Sequence, residues 1–384
     1  MPESRKLTVV QVLPALQSGG VERGTLEVGK YLVGHGHRSI VISAGGRMVE
    51  RLVREGSEHV QWDIGKKSLL TLRLVPRLRR FLVENAVDIL HARSRMPAWI
   101  AWLAWKGMDP KTRPRFVTTV HGPYSVNAYS AVMTKGERVI VISQMIRDYV
   151  LKNYPKTDPA KLRLIYRGVD PAEFPYGYRP AEAWLGAWYR QYPETQGKKL
   201  LTLPARITRW KGQEDFIELL SRLKESHPEI HGLIVGETKP GKERFLDELK
   251  TRARELGVAD RLSFTGHRND LREIMAISSI VFSLSREPEA FGRTTIEALS
   301  LGVPVIGYNH GGVGEQLAAI LPEGAIAPGG IQQAASIAGR WLASPPALPR
   351  THGFTLARML ENTLAVYEDV VSSSHILPPA PDNE

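Results

Sequence analysis

In the stretch REPEAFGRTTIEAL (286–299), Glu289 and Glu297 stand eight residues apart with Gly292 between them. Pro288 and Gly292 interrupt helical continuity, so the pattern predicts Glu289 in a loop and Glu297 inside the helix that follows. A helix that begins just after Ala290, Phe291 and Gly292 offers backbone N–H groups around Arg293, Thr294 and Thr295 to an anion. A carboxylate beside an anion site is electrostatically awkward unless it accepts hydrogen bonds from hydroxyls of the same ligand. A sugar joined to a diphosphate and a ribose carries both kinds of group. Glu297 also has a purely structural reading, because Thr294 three residues ahead of it makes a capping box.

A second cluster lies in ARITRWKG (205–212), where Arg206 and Lys211 flank a turn closed by Gly212. A fixed guanidinium with a mobile ammonium suits a diphosphate through charge-assisted hydrogen bonds. Two solvated loop bases are the plainer alternative. In LQSGGVERG (16–24), Gly19 and Gly20 join a strand to a helix and let a ligand approach the backbone closely. The spacing is not GxGxxG, which disfavours a dinucleotide cofactor. His121, in TTVHGPYS (118–125), ends a strand. It is either a structural histidine or a catalytic one facing a cleft. GETKPGKE (236–243) imitates a P-loop, but Glu243 replaces the hydroxyl residue that would hold magnesium. HGH (35–37) reads as a turn, not a metal pair. No Asp-x-Asp pair is present, so no metal site is expected.

These loops need elements to hold them. Runs at 7–14, 38–43, 87–92, 115–121, 137–143 and 162–166 read as strands, with helices between them such as 21–34 and 68–85. The alternation breaks over 168–198 and resumes with strands at 199–205, 231–237, 261–266, 279–285 and 303–308. Near-continuous apolar strands alternating with helices predict parallel sheets covered on both faces. The expected architecture is α/β, with two Rossmann-like doubly wound domains. The first spans 1–170, a linker with one helix spans 171–198, and the second domain spans 199–350. A helix at 351–372 is expected to return toward the first domain, ahead of a disordered tail at 373–384.

The chain has 384 residues, no cysteine and a formal net charge of +11. Disulfide scaffolds and cysteine-held metals are thereby excluded. The most apolar run, PAWIAWLAW (97–105), is far shorter than the roughly 20 residues of a membrane-spanning helix. The N-terminus reads directly as a strand, without a leader, and a cytoplasmic protein is expected. Charge is unevenly placed: residues 1–170 hold 28 Lys/Arg against 14 Asp/Glu, and residues 171–384 hold 23 against 26. The first half therefore expects an anionic partner. Arg73, Arg77 and Arg80 could form one basic helix face for a peripheral contact with an anionic inner membrane. No nucleic-acid-binding module is recognisable.

Together SGGVE, VHG, YRGVD, RITRWKG, LSFTGH and EAFGRTTIEALSLGVPVIGYNHGGVGE resemble the retaining glycosyltransferases of GT-B fold called family four. The resemblance covers nearly the whole chain. HARSRMPAW and YRGVD are most similar to members that build lipopolysaccharide core. The resemblance implies transfer of a sugar from a nucleoside-diphosphate-sugar co-substrate to a glycolipid or polysaccharide hydroxyl, with retention and no further cofactor. It implies that Glu289 contacts the donor sugar and Glu297 the ribose. Arg206 and Lys211 would hold the diphosphate with backbone of 290–295 and Gly19–Gly20. His121 would lie by the anomeric carbon, and the loop after Gly266, with Arg268, by the base. Ala205 stands where the family usually has Gly, and Arg167 where it often has Asn. An epimerase or phosphorylase of the same architecture, or a non-catalytic basic adaptor, are the competing readings.

Overall fold

The computed structural model describes residues 5–238, 240–241 and 243–372. The tail from residue 373, expected to be disordered, lies outside the described residues. The chain divides into two compact units, one running up to Tyr166 and resumed from Ala357, the other Arg167–Leu356.

The first unit is built on seven parallel strands: β1 (Thr8–Val12), β2 (Arg38–Ser43), β3 (Glu58–Gln61), β4 (Ile89–Ala92), β5 (Arg115–Val120), β6 (Arg138–Val141) and β7 (Leu162–Leu164). Their order is β3-β2-β1-β4-β5-β6-β7. The central strands are buried on both faces, as in Val9, Val10, Ile40, Val41, Ile89 and Leu90. That double burial is why they read as unbroken apolar runs. Strand β3, EHVQ, has no apolar run because it is an edge strand with exposed ends.

The second unit carries β8 (Lys199–Pro204), β9 (Ile230–Val235), β10 (Leu262–Gly266), β11 (Ser278–Ser283), β12 (Val305–Tyr308) and β13 (Ala325–Ile326). All are parallel, in the order β10-β9-β8-β11-β12-β13. The order in which successive strands are added to each sheet reverses once, between β1 and β4 and between β8 and β11. At such a reversal the loops leaving the two strands diverge and open a crevice at their carboxyl ends.

Residues 171–198, expected as a linker, lie within the second unit. The helix Glu182–Gln191 lays Trp188 against Leu200, Leu233, Val235 and Ile274, and the Trp188 Nε1–H donates to Thr195 Oγ1 at 2.9 Å. Tryptophan and tyrosine thus cap the sheet where a periodic aliphatic stripe would normally do so.

The last described helix, Leu356–Ser372, belongs from Ala357 to the first unit. The Tyr367 hydroxyl is fully buried and meets His91 Nδ1 at 2.7 Å, while His91 Nε2 meets Thr119 Oγ1 at 2.7 Å. Arg138 adds an ion pair to Asp369 at 2.7 Å. Burial pushes the Tyr367 phenol up from its ordinary value, so it stays a neutral hydroxyl. Tyr367→Phe removes a buried hydrogen bond between the helix and the His91 imidazole and is expected to cost about 1 kcal/mol. A shift of the urea midpoint checks this; an unchanged midpoint would mean that the Tyr367–His91 bond adds nothing to the docking of the helix.

Candidate active site

The parallel sheet of the second unit sends the loops after β8, β11 and β12 off one edge, and these loops carry most of the residues singled out above. The Lys211 ammonium, 13 % exposed, lies 2.7 Å from Glu289 Oε1, and the Ser285 hydroxyl donates to the same oxygen at 2.5 Å. Lys211 also stands 4.2 Å over the Trp210 ring. The cation expected on a phosphate and the acid expected on hydroxyls are therefore immediate neighbours across the β8/β11 reversal.

Both loops are held from behind. Arg286 places Nη2 2.6 Å and Nε 3.1 Å from Asp215, and its Nη1 2.7 Å from Glu214, at the start of the helix Gln213–Leu223. The Tyr308 hydroxyl donates to Asp215 Oδ2 at 2.7 Å, and the Arg286 N–H donates to the Trp210 carbonyl at 2.7 Å. The hydrogen bonds and charge of Asp215, joined by Glu214, hold the guanidinium protonated well above its ordinary value. Burial, then Asp215, pushes the Tyr308 phenol up as well. The His310 ring lies 2.8 Å from the Ser285 carbonyl, and the Gly312 N–H donates to the Glu289 carbonyl at 2.8 Å. The Gln316 amide donates to the Phe291 carbonyl. A Cβ at position 312 would come within 2.4 Å of the Phe291 backbone, so the loop sits this low only because residue 312 is glycine.

Gly292, at φ 80°, turns the chain from this loop into the helix Arg293–Ser300. The capping-box reading of Glu297 is corrected here. Gly292 is the cap, no side chain caps the helix, and Thr294 is already its second residue. Glu297 instead pairs with Arg293 one turn back at 2.9 Å, its carboxylate 8 % exposed. Thr295 Oγ1 is buried without a hydrogen-bond partner among the described residues, as are Thr208 Oγ1, Thr238 Oγ1, Gln213 Oε1 and Gln316 Oε1. All five orphans of this unit follow the ends of its strands at the same edge, where a buried polar atom needs a reason to be tolerated.

The expectation of a fixed guanidinium beside a mobile ammonium is corrected: the Lys211 ammonium is the one held, by Glu289, and among the described residues the Arg206 guanidinium is the free one. The Arg206 carbonyl accepts the buried Gln213 amide at 2.9 Å, which fixes the backbone, while the side chain is exposed and makes no hydrogen bond or ion pair among the described residues. Arg268 forms a bidentate pair with Asp270, at 2.8 and 2.6 Å, and lies 5.6 Å from the Trp188 ring. Its guanidinium braces the loop after Gly266 against the helix Glu182–Gln191.

Three candidates lie in the first unit. Gly19, at φ 135°, and Gly20 lead from β1 into the helix Gly20–Gly34. His121 follows β5, and its N–H donates to the Tyr124 hydroxyl at 3.3 Å. In the HGH turn, His37 Nδ1 accepts the Leu7 N–H at 3.0 Å and Gly36 adopts φ 78°.

Sequence reasoning missed Asp215, Arg286, Ser285, Tyr308 and His310, whose partners are up to 93 positions away. Their signal was weak: an arginine and a serine beside an already conspicuous glutamate.

The profile described as Glycosyltransferase Family 4 matches residues 18–173, and that described as Glycosyl transferases group 1 matches residues 187–349. A glycosyltransferase from Rickettsia africae ESF-5 superposes with a TM-score of 0.85 at 31% identity, covering 95% of this chain and 99% of that one. Anabaena Alr3699/HepE, solved in complex with UDP-glucose, gives a TM-score of 0.71 at 19% identity over 96% of this chain and 97% of its own. Mannosylfructose-phosphate synthase of Agrobacterium fabrum is 31% identical over 179 residues, which are 45% of this chain and 37% of that protein. The chain spans less than half the length of the first curated relatives it matches, 37% and 46%.

Proposed function

Because the chain belongs to the glycosyl transferases group 1 family of GT-B enzymes, with a Glycosyltransferase Family 4 first half, we propose that it moves a sugar from a nucleoside diphosphate to a hydroxyl of a glycolipid or polysaccharide with retention. The carrying observation is the pair of loops after β8 and β11, tied to each other across the strand reversal and presenting Arg206, Lys211 and Glu289 from one edge.

When the bond from the anomeric carbon to the diphosphate breaks, negative charge collects on the departing oxygens. Arg206, Lys211 and the backbone N–H groups of 293–295 meet that charge, and prefixed donors of this kind supply roughly 2.7–4 kcal/mol each. Glu289 accepts hydroxyls of the sugar and Glu297 those of the ribose. By the family resemblance alone, Gly19 and Gly20 are assigned to the diphosphate and His121 to the anomeric carbon. Arg268 acts through the orientation it gives the loop that meets the base. The acceptor oxygen attacks from the face the diphosphate leaves and gives its proton to the departing phosphate oxygen, which retains configuration.

We further assign the acceptor to lipopolysaccharide core, on the likeness of HARSRMPAW and YRGVD and on the excess of base in residues 1–170. The site of action is then the cytoplasmic face of the membrane that carries such an acceptor. Thermal melts with UDP-, GDP- and ADP-sugars identify the donor, since a ligand of the folded state alone raises the midpoint. Turnover with that donor and a core oligosaccharide tests transfer. A donor isomerised without acceptor would instead establish an epimerase.

A further inference from the structure

Between β3 and the helix Leu74–Glu84 the chain runs through KKSLLTLR (66–73), a surface that the reaction described above does not use. Residues Leu69–Arg73 form one 3₁₀ turn, capped by Ser68, whose hydroxyl accepts the Leu70 N–H at 3.2 Å. With three residues per turn, Leu69 and Leu72 eclipse on one ridge, Leu70 stands beside them and Thr71 points inward. The exposures follow: Leu69 86 %, Leu70 63 % and Leu72 43 %, against 5 % for Thr71. The Thr71 hydroxyl donates to the Lys66 carbonyl at 2.8 Å, so the turn is tied down and its leucines are held outward. Of the large apolar residues exposed among the described residues, these three alone lie within four positions of each other. Scattered exposed leucines need no explanation; three on one rigid ridge do.

Around the ridge bases outnumber acids. Lys66, Lys67, Arg73, Arg77 and Arg80 are exposed and make no ion pair with an acid among the described residues. Arg77 lies 4.5 Å over the Trp62 ring and Lys67 5.9 Å from that of Tyr129. Beneath Leu70 is an open recess of about 650 Å³ at the carboxyl end of β3, lined by Trp62, Lys66, Thr71 and Arg77, with Asp63 also on its wall.

We propose that this ridge and its basic surround form a docking surface for an anionic phospholipid bilayer, with the leucines entering the acyl boundary and the recess seating a head-group phosphate. Leucines flanked by base have no use for a nucleic-acid backbone. A second copy of the same face would set like charges against each other. A bilayer of anionic lipid satisfies both components, since apolar insertion and attraction of bases act together at such an interface. No described helix is long and apolar enough to cross a membrane, so the contact is peripheral.

Co-sedimentation tests this with vesicles of phosphatidylcholine alone and of phosphatidylcholine with phosphatidylglycerol. The wild-type chain is expected to pellet only with the second. Leu69→Ser/Leu70→Ser/Leu72→Ser should weaken binding about tenfold or more while keeping its melting midpoint, because the replaced side chains are exposed. Arg73→Ser/Arg77→Ser/Arg80→Ser should lose about fivefold per charge at low salt. The chain has no cysteine, so Leu70→Cys accepts a polarity-sensitive dye at a single position. Its emission should shift to the blue on anionic vesicles, while a dye on Glu225→Cys should not. Equal pelleting of the wild-type and leucine variants, or no pelleting of the wild type, overturns the proposal. A blue shift without lipid that grows with protein concentration also overturns it and assigns the ridge to self-association. None of these measurements needs donor or acceptor, so their failure is separate from a failure of the transferase reading.

Discussion

Arg206→Ala is expected to slow sugar transfer by roughly 10²–10³-fold while leaving the melting midpoint nearly unchanged. The two halves of that expectation have different origins. The fold uses the backbone of this residue, through its carbonyl and the Gln213 amide, which any side chain preserves. The guanidinium itself is exposed and bonded to nothing else among the described residues, so its removal uncovers no buried partner. A cation that meets charge only as the diphosphate departs contributes to the barrier more than to donor affinity, so the loss belongs in kcat. Steady-state rates with the donor found by melting decide the matter. Near-normal kcat would remove Arg206 from the leaving-group site.

Glu289→Gln is expected to lower kcat/KM for the donor by roughly 10²-fold, in the range seen when a charged hydrogen-bonding group is removed from a polar site. Glutamine keeps the shape and can still accept from Ser285, but it cannot neutralise Lys211. The effect therefore has two components, a weaker grip on sugar hydroxyls and a loosened ammonium. A double-mutant cycle with Lys211→Met separates them. If the carboxylate serves only to hold the lysine, the double variant will be no slower than Lys211→Met alone. If Glu289 also binds the sugar, it will be slower. Ser285→Ala, which removes one hydrogen bond from the same oxygen, is the mild control. Unchanged kinetics for Glu289→Gln would leave it a loop acid.

The strands of both sheets were legible wherever burial on two faces made the sequence uniformly apolar. Where burial is one-sided or the element is very short, that signal vanishes, as in β3 and in the two residues of β13. The helix Glu182–Gln191 was legible but its role was not, because Pro and Gly on either side imitate a linker while its tryptophans cover a sheet. In the candidate site, local spacing correctly separated Glu289 in a loop from Glu297 in a helix. It failed at the cap, since Thr294 and Glu297 have the spacing of a capping box and only the backbone turn at Gly292 shows that the helix had already begun. Pairing was out of reach altogether. Lys211 meets Glu289, and Asp215 meets both Arg286 and Tyr308, through strand order, which no short window of sequence contains.

The return of the final helix to the first unit also bears on how the chain is made. At ordinary elongation of about 5–20 residues per second, the ribosome spends roughly 10–40 s on residues 167–356 before Ala357 emerges. Throughout that interval the nascent amino-terminal sheet lacks Tyr367 for His91 and Asp369 for Arg138, and the surface destined for Met359, Val366 and Val370 faces solvent. The middle unit, contiguous in sequence, has all its strands before its neighbour is complete. A stalled or truncated product ending near residue 356 would thus be a finished domain tethered to an unfinished, sticky one, the natural prey of chaperones and proteases.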